Sequence, residues 1–326
     1  MIINDFSGFN GQHCETTATG SLLNYIGLEL SEPMLFGIGE GLGFIYWDMK
    51  NMNFPFIGGR IKPEFITRNI VNNLELHMDV KETSSVKAAW DNVKGYIDSG
   101  IPVGLKLDAY YLEYFTNKFH FAAHYVAMYG YDKEYAYLAD TVQQGGLVKS
   151  SLKSIEMARN ERGAMSSRNL SYTITQTKEL PKFEDIILKA IKRNAEDFLN
   201  PPIKNIGYKG IEKLSKEIRN WFEKGKDTPE HLKRTAILME KAGTGGAIFR
   251  NIFRDFLKES MTIIESKNLQ KAYNSFCDIA QYWGEVSSLI GKAGETNNSS
   301  FLNEASGIVL ELSKREKEAM SLLLDI

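Results

Sequence analysis

The sequence predicts an α+β fold: an N-terminal helix with an antiparallel sheet in residues 1–178, then an all-helical domain in residues 179–326. Residues 122–131 and 134–139 are rich in Tyr, Val, Ala and Met and are separated by a short turn, which predicts a β-hairpin. From Pro181 onward, apolar residues recur with the 3.6-residue period of helices and strand signals are few. This change of pattern marks the predicted domain boundary.

The composition is that of a globular chain of 326 residues, 43% hydrophobic and 25% charged, which suits two ordinary domains. The formal net charge of −2 argues against a nucleic-acid partner, because neutralising phosphates needs an excess of Lys and Arg. No run of about 18 apolar residues and no secretion signal is present, so we expect no membrane partner. Two Cys, at positions 14 and 277, cannot build a disulfide framework, and we expect a cytoplasmic protein.

The first predicted helix begins near Cys14 and ends at Gly27. Its apolar face consists of Ala18, Leu22 and Ile26. A thiol at the start of a helix lies at the positive end of the helix dipole, which stabilises the nucleophilic thiolate. Cys14 is therefore the candidate nucleophile, whereas Cys277 lies within an apolar helical stretch and is expected to serve packing.

Residues 28–62 are predicted to be loop-like and to line a pocket near the nucleophile, because they are too apolar for a solvated linker. Gly39 and Gly41 do not form a dinucleotide-binding fingerprint, since position 44 is not a glycine. The aromatic residues of this segment are Phe36, Phe44, Tyr46, Trp47, Phe54 and Phe56.

Further elements follow from periodicity and stop signals. Residues 85–99 and 151–162 are predicted to be helices, and residues 101–108 and 170–176 to be strands. Helices of the second domain are predicted at 183–198, 208–224, 228–242, 246–266, 269–291 and 299–323.

A base and an orienting carboxylate are expected on the predicted hairpin. His124 lies early on its first strand and Asp140 follows its second strand, so antiparallel pairing can bring them together. An imidazole can take and return the proton of a thiol, and a carboxylate can hold that imidazole in the productive tautomer. Cys14, His124 and Asp140 are thus the predicted catalytic residues.

Other candidates compete with this set. His120 lies four residues before His124, about 13 Å along an extended strand, which is too far to share a metal ion, so no metal site is predicted. His120 is expected to line the substrate cleft or cap the strand, and His13 is expected to point away from a base at Cys14. Asp132 is the alternative carboxylate, although a turn position favours Asp for turn chemistry alone.

Four segments together resemble the butirosin biosynthesis protein H family. They are HCETT at 13–17, GIGEGLGF at 37–44, HYVAMYGYD at 124–132 and LAD at 138–140. The resemblance covers about residues 1–178, and the helical remainder resembles the companion C-terminal domain of that family. It implies a papain-like fold, used as an acyltransferase that moves an acyl or aminoacyl group from an acyl carrier protein thioester to an amine in natural-product biosynthesis. Phosphopantetheine would arrive on the carrier protein, so no bound cofactor is expected.

One departure concerns the oxyanion hole. Related bacteriocin-processing cysteine peptidases carry a Gln six residues before the Cys, whereas this chain has Gly8 there. Gln12, Asn10 and Ser7 are candidate substitutes. The alternative functions are a cysteine peptidase or amidohydrolase with the same three residues, and a non-catalytic binding scaffold.

The helical domain carries two candidate partner-binding features, each with an ordinary structural explanation. Gly243 to Gly246 open a helical run in which Arg250 and Arg254 lie one turn apart, an arrangement that could hold a phosphopantetheine phosphate, with ordinary helix capping as the alternative. A basic cluster could attract an acidic carrier protein, with a solvated helix face as the alternative. The cluster comprises Lys189, Lys192, Arg193, Lys216, Arg219, Lys224 and Lys226. The sequence leaves the oligomeric state open, a homo-oligomer included.

Overall fold

The computed structural model describes residues 1–50, 52–163, 165–225 and 227–326. Lys226 of the basic cluster lies outside these ranges. Within them, the helices are α1 Cys14–Tyr25, α2 Glu32–Ile38, α3 Phe65–Asn73, α4 Val86–Asp98, α5 Leu152–Asn160, α6 Phe183–Leu199, α7 Gly207–Glu217, α8 Thr228–Lys241, α9 Arg250–Ser260, α10 Lys267–Thr296 and α11 Ser300–Leu322. The strands are β1 Leu42–Trp47, β2 Phe56–Arg60, β3 His77–Lys81, β4 Val103–Leu107, β5 His124–Tyr131, β6 Tyr135–Ala139, β7 Leu147–Ser151 and β8 Ser171–Thr175.

The chain divides into two units, and each is assembled from two stretches of sequence. The first unit consists of Met1–Leu35 and Ile66–Pro181, and the second of Phe36–Phe65 and Lys182–Ile326. The sequence placed a single boundary between residues 178 and 179. The structure differs because Phe36–Phe65 belongs to the helical unit. No helix within the described ranges combines the length and apolar character that a membrane span requires.

The first unit is built on a six-stranded antiparallel sheet with the order β3-β8-β4-β5-β6-β7. Helix α1 packs against β4 and β5 and is buried along most of its length. It ends where Gly27 adopts a left-handed φ of +82°, which a residue with a side chain rarely adopts. The unit therefore has the α+β class that the sequence predicts, with one buried helix against an antiparallel sheet.

The predicted hairpin is present as β5 and β6. Ala127 pairs with Ala139 and Met128 with Leu138, so the start of β5 lies beside the chain that leaves β6. His124 is the first residue of β5, and Asp140 directly follows β6. This register brings together the two ends that carry the predicted base and carboxylate.

Residues 28–62 are more ordered than the sequence predicts, because β1 and β2 form an antiparallel pair within them. Buried and partly buried residues alternate along β1, a strand period that the many glycines hide in the sequence. Phe44 stacks on Trp283 and Phe36 on Phe249, both with ring centroids 5.5 Å apart. These aromatic rings form part of the core of the second unit. The predicted role of this segment as a pocket lining is therefore corrected for Phe36 and Phe44.

The helices of the second unit lie close to the six predicted ranges, and a buried ion pair joins α9 to α11. The Arg250 guanidinium donates from Nε and Nη2 to Glu316, at 2.9 and 2.8 Å, and both side chains are fully buried. Its Nη1 donates to the carbonyls of Gly59, at 3.2 Å, and Ile248, at 2.9 Å. The predicted use of Arg250 as a phosphate ligand is therefore wrong, because its donors are engaged in the core.

The glycine turn before α9 also differs from an anion site. The Gly246 N–H donates to the Thr244 hydroxyl at 3.2 Å, and the Ala247 N–H donates to the Glu240 carboxylate at 3.1 Å. Ile248 has a φ of +48°, a strained value for a β-branched residue, and its carbonyl accepts the Arg250 bond. Arg250 thus stabilises a left-handed turn.

We expect the Arg250→Met variant to have a free energy of unfolding lower by roughly 3–5 kcal/mol, because Glu316 would keep a buried charge without a cation. A matched control is Arg254→Met, since Arg254 lies on the same helix and its ion pair with Asp255 is partly exposed. Urea unfolding followed by tryptophan fluorescence measures the difference. The double variant Arg250→Met/Glu316→Gln retains an acceptor for the Trp283 N–H and should recover part of the loss. Equal stability of the two single Arg variants would contradict this account.

Candidate active site

Cys14 is the first residue of α1, directly after His13, whose backbone is extended. The first N–H groups of an α-helix have no acceptor within the helix, so they concentrate partial positive charge at its start. The Cys14 side chain is buried and forms no disulfide. The local sequence therefore places a free thiol where a negative charge on sulfur is stabilised.

His124 and Asp140 form a buried pair beside this thiol. His124 Nε2 lies 2.8 Å from Asp140 Oδ2, and the Cys14 sulfur is near enough to the His124 ring to raise the pKa of that imidazole. The Thr141 N–H donates to Asp140 Oδ1 at 2.6 Å, and the Val142 N–H donates to the Gly11 carbonyl at 3.0 Å. The loop after β6 is thus bonded to the loop before α1. The structure brings together all three residues predicted to be catalytic.

The electrostatics favour an imidazolium at this position. Burial alone would lower the pKa of His124, but the charges of Asp140 and the Cys14 sulfur, with their hydrogen bonds, raise it to about 10. His124 therefore carries a proton at neutral pH. A cation beside the sulfur stabilises the thiolate, which is the form that attacks carbonyl carbon.

Two aromatic residues that the sequence did not single out complete the surroundings of His124. The Tyr114 hydroxyl donates to Asp140 Oδ2 at 2.8 Å. The edge of Phe115 meets the His124 ring at a centroid distance of 5.2 Å and an interplanar angle of 86°. Both lie in residues 110–115, a run rich in aromatic residues. The sequence does not show which of these rings contacts His124 or Asp140.

The backbone in front of α1 is held by Glu32, from the first turn of α2. Its carboxylate accepts the N–H groups of Gln12, at 2.9 Å, and His13, at 2.8 Å. A Cβ on Gly11 would lie 3.0 Å from Glu32 Oε1 and 2.4 Å from the Thr17 hydroxyl, so glycine permits this close approach. Glu32 occupies these two N–H groups, and the Cys14 N–H, at the start of α1, is the candidate oxyanion donor beside the sulfur.

The other predicted oxyanion and substrate residues occupy different positions. The Gln12 side chain is exposed and the His13 side chain is buried. At Gly8, an added Cβ would lie 2.8 Å from Leu147 Cδ2, so a longer side chain at this position would require Leu147 to move.

His120 lies in the loop before β5, and Asp108 forms hydrogen bonds with its ring and with the N–H of Phe121. Its Nδ1 is 2.9 Å from the Asp108 carboxylate, its ring stacks on Tyr110 at 4.0 Å, and 59% of its side chain is exposed. Within the described ranges, no group of three or more His, Cys, Asp or Glu is placed to hold a metal ion.

Asp132 is a turn residue at the far end of the hairpin. Its carboxylate accepts the N–H groups of Glu134 and Tyr135 and the hydroxyl of Tyr137, all at 2.7 Å. These hydrogen bonds, the Glu134 N–H first, lower the pKa of Asp132 to about 2. Asp140, and not Asp132, is the carboxylate bonded to His124.

Comparison with protein families gives two matches that together span most of the chain. Residues 13–141 match the family described as Butirosin biosynthesis protein H, N-terminal. Residues 153–323, more than half of the chain, match the Domain of unknown function (DUF4872). The chain belongs to the butirosin biosynthesis protein H-like family. The resemblance seen in the sequence is thereby confirmed for both the N-terminal part and its helical companion.

Comparison with individual proteins adds little to this family assignment. No curated protein sequence matches the chain. Among solved structures, a protein described as a C39-like peptidase from Bacillus anthracis is similar, with 15% identity over 55% of this chain and 98% of its own, and a TM-score of 0.38. Membership in the butirosin biosynthesis protein H-like family and the α+β fold support a papain-like cysteine enzyme in general.

Proposed function

We propose that the chain is an acyltransferase that moves an acyl or aminoacyl group from an acyl carrier protein thioester to an amine through an acyl-Cys14 intermediate. The observation that carries the proposal is the buried Cys14, His124 and Asp140 arrangement in a chain whose family is named for butirosin biosynthesis. A cysteine nucleophile with an imidazole partner performs acyl transfer through a covalent thioester.

In the first half-reaction, the Cys14 thiolate attacks the thioester carbonyl carbon and a tetrahedral oxyanion forms. The Cys14 N–H at the start of α1 donates to this oxyanion. Collapse breaks the bond to the pantetheine sulfur, which leaves with the proton of the His124 imidazolium. Acyl-Cys14 and a neutral imidazole remain, with Asp140 holding the Nε2–H tautomer.

In the second half-reaction, a neutral amine attacks acyl-Cys14 and gives its proton to His124. The carbon–sulfur bond breaks, the amide leaves, and the thiolate and imidazolium pair is restored. Protons and electron pairs balance over the cycle without an added cofactor, because the phosphopantetheine group belongs to the carrier protein. Water could replace the amine, which would turn the same site into a hydrolase.

Two arguments support a carrier protein as the acyl donor: a thioester is an acyl donor that a cysteine nucleophile can use, and the family is named for butirosin biosynthesis. The basic cluster adds little to them, because several of its side chains pair with acids. Arg193 lies 4.0 Å from Glu40, Lys216 lies 2.8 Å from Glu212, and Lys224 lies 2.7 Å from Asp48. These acids neutralise part of the positive charge. A reducing cytoplasm would suit a reaction that needs a free thiol at Cys14.

The test is incubation of the protein with an aminoacyl carrier protein, followed by a polyamine or aminoglycoside, with intact-mass detection. We expect an acyl adduct on the protein after the first addition and an amide product with loss of the adduct after the second. Release of free acid in place of amide would indicate a hydrolase. Peptide cleavage without any reaction of the carrier thioester would overturn the proposal.

A further inference from the structure

Asp140 has two donors on the same carboxylate oxygen. His124 Nε2 and the Tyr114 hydroxyl both lie 2.8 Å from Oδ2, while the Thr141 N–H occupies Oδ1 at 2.6 Å. A carboxylate held at both oxygens cannot rotate without breaking one of these bonds. Tyr114 therefore contributes to the orientation of the carboxylate that in turn orients His124.

The Tyr114 hydroxyl remains a donor throughout the working pH range. Burial, and then the charge of Asp140, raise the pKa of Tyr114 well above its usual value. A phenol that stays protonated presents its hydrogen to Asp140, so the bond keeps one direction.

The segment that carries Tyr114 is fixed at both ends. Asp108 Oδ1 accepts the N–H groups of Tyr110 and Phe121, both at 2.9 Å, and the Asp108 side chain is buried. The next residue, Phe115, places the edge of its ring on His124. One anchored loop thus contacts both members of the buried pair.

We propose that Tyr114 is a positioning residue that acts through Asp140 and sets how tightly His124 holds its proton; the catalytic consequence rests on the proposed acyl transfer. A second donor on Oδ2 spreads the negative charge of the carboxylate. The imidazolium proton is then held less tightly and passes more readily to the leaving pantetheine thiol. Without the hydroxyl, the bond from His124 to Asp140 would strengthen and proton release would slow.

The experiment compares Tyr114→Phe with Tyr111→Phe. Tyr111 is a matched control, because it lies in the same loop and donates to Glu161 at 2.7 Å. The first readout is the low-field proton resonance of His124 Nε2–H, assigned with His124→Gln. The second is the pH profile of Cys14 alkylation by iodoacetate, an anionic reagent that the imidazolium attracts.

In Tyr114→Phe we expect the Nε2–H resonance to move further downfield and the basic limb of the alkylation profile to rise by about half a pH unit. Tyr111→Phe should leave both unchanged. 3-Fluorotyrosine at position 114, a stronger donor, should move both in the opposite direction, and it serves if the Phe variant fails to fold. Where amide formation is measurable, kcat should fall about tenfold in Tyr114→Phe with KM nearly constant.

Identical resonances and alkylation profiles in the two Phe variants would overturn the proposal. Changes in these two readouts that correlate only with the melting temperature of each variant would also overturn it. Neither of the first two readouts uses a carrier thioester or an amine. A failure of the proposed acyl transfer is therefore distinguishable from a failure of the role of Tyr114.

Discussion

Replacing Cys14 by alanine is expected to abolish the acyl adduct and to lower amide formation by on the order of 10⁵-fold, because the covalent route needs the sulfur. The measurement is intact mass after addition of the aminoacyl carrier protein, together with product formation under single-turnover conditions. The thiolate beside the imidazolium should also make Cys14 the faster of the two thiols to react with iodoacetamide.

Cys277→Ala is the matched control, since Cys277 is the other thiol of the chain and lies half-buried on α10. It should retain the adduct and the turnover. Amide formation that persists in Cys14→Ala at the wild-type rate would favour a non-catalytic scaffold and remove the nucleophile from the mechanism.

Replacing Asp140 by asparagine is the second large effect that we expect, a loss of roughly 10⁴-fold in turnover by analogy with other triads. The amide cannot supply the negative charge that holds the Nε2 proton, so the pKa of His124 should fall from about 10 toward its ordinary value. The imidazolium persists below the pKa of His124 and is lost above it. The basic limb of Cys14 alkylation by iodoacetate should therefore move to lower pH in this variant.

Asp132→Asn is the control for Asp140→Asn. It changes a carboxylate on the same hairpin that accepts three hydrogen bonds within the turn and none from His124. Its turnover and alkylation profile should match the wild type. A basic limb that stays in place in Asp140→Asn would show that Asp140 does not set the protonation of His124.

The parts of the site that could be predicted from the sequence are those determined by local pattern. The start of α1 at Cys14 and the register that brings His124 to Asp140 follow from a helix start and a short turn. Tyr114 could not be predicted in the same way, because it is one of several tyrosines in the run 110–115 and only the folded loop determines which hydroxyl reaches Asp140. A contact of this kind leaves no periodic trace in the sequence.

The errors concern residues whose surroundings are tertiary. Arg250 follows a glycine turn, which is a feature of phosphate sites. In the structure its guanidinium is buried and paired with Glu316, 66 residues later in the chain. The strands β1 and β2 were not predicted because glycine, which is depleted in strands, is frequent in this segment. In both cases, packing against residues far away in the sequence determines the role or the secondary structure of the segment, and the local sequence pattern suggests a different one.

The interleaved chain order of the two units has a consequence for how the protein can be made and divided. The first unit lacks its final strand until Thr175 has been synthesised. The β1–β2 pair belongs with helices that follow it by more than a hundred residues, such as α6, whose Asn194 side-chain amide forms hydrogen bonds with the backbone N–H and carbonyl of Leu42. A fragment that begins at residue 179 would lack this pair and the Gly59 carbonyl that Arg250 uses. To express the first unit alone, residues 36–65 and 182–326 therefore have to be removed, and residue 35 has to be joined to residue 66.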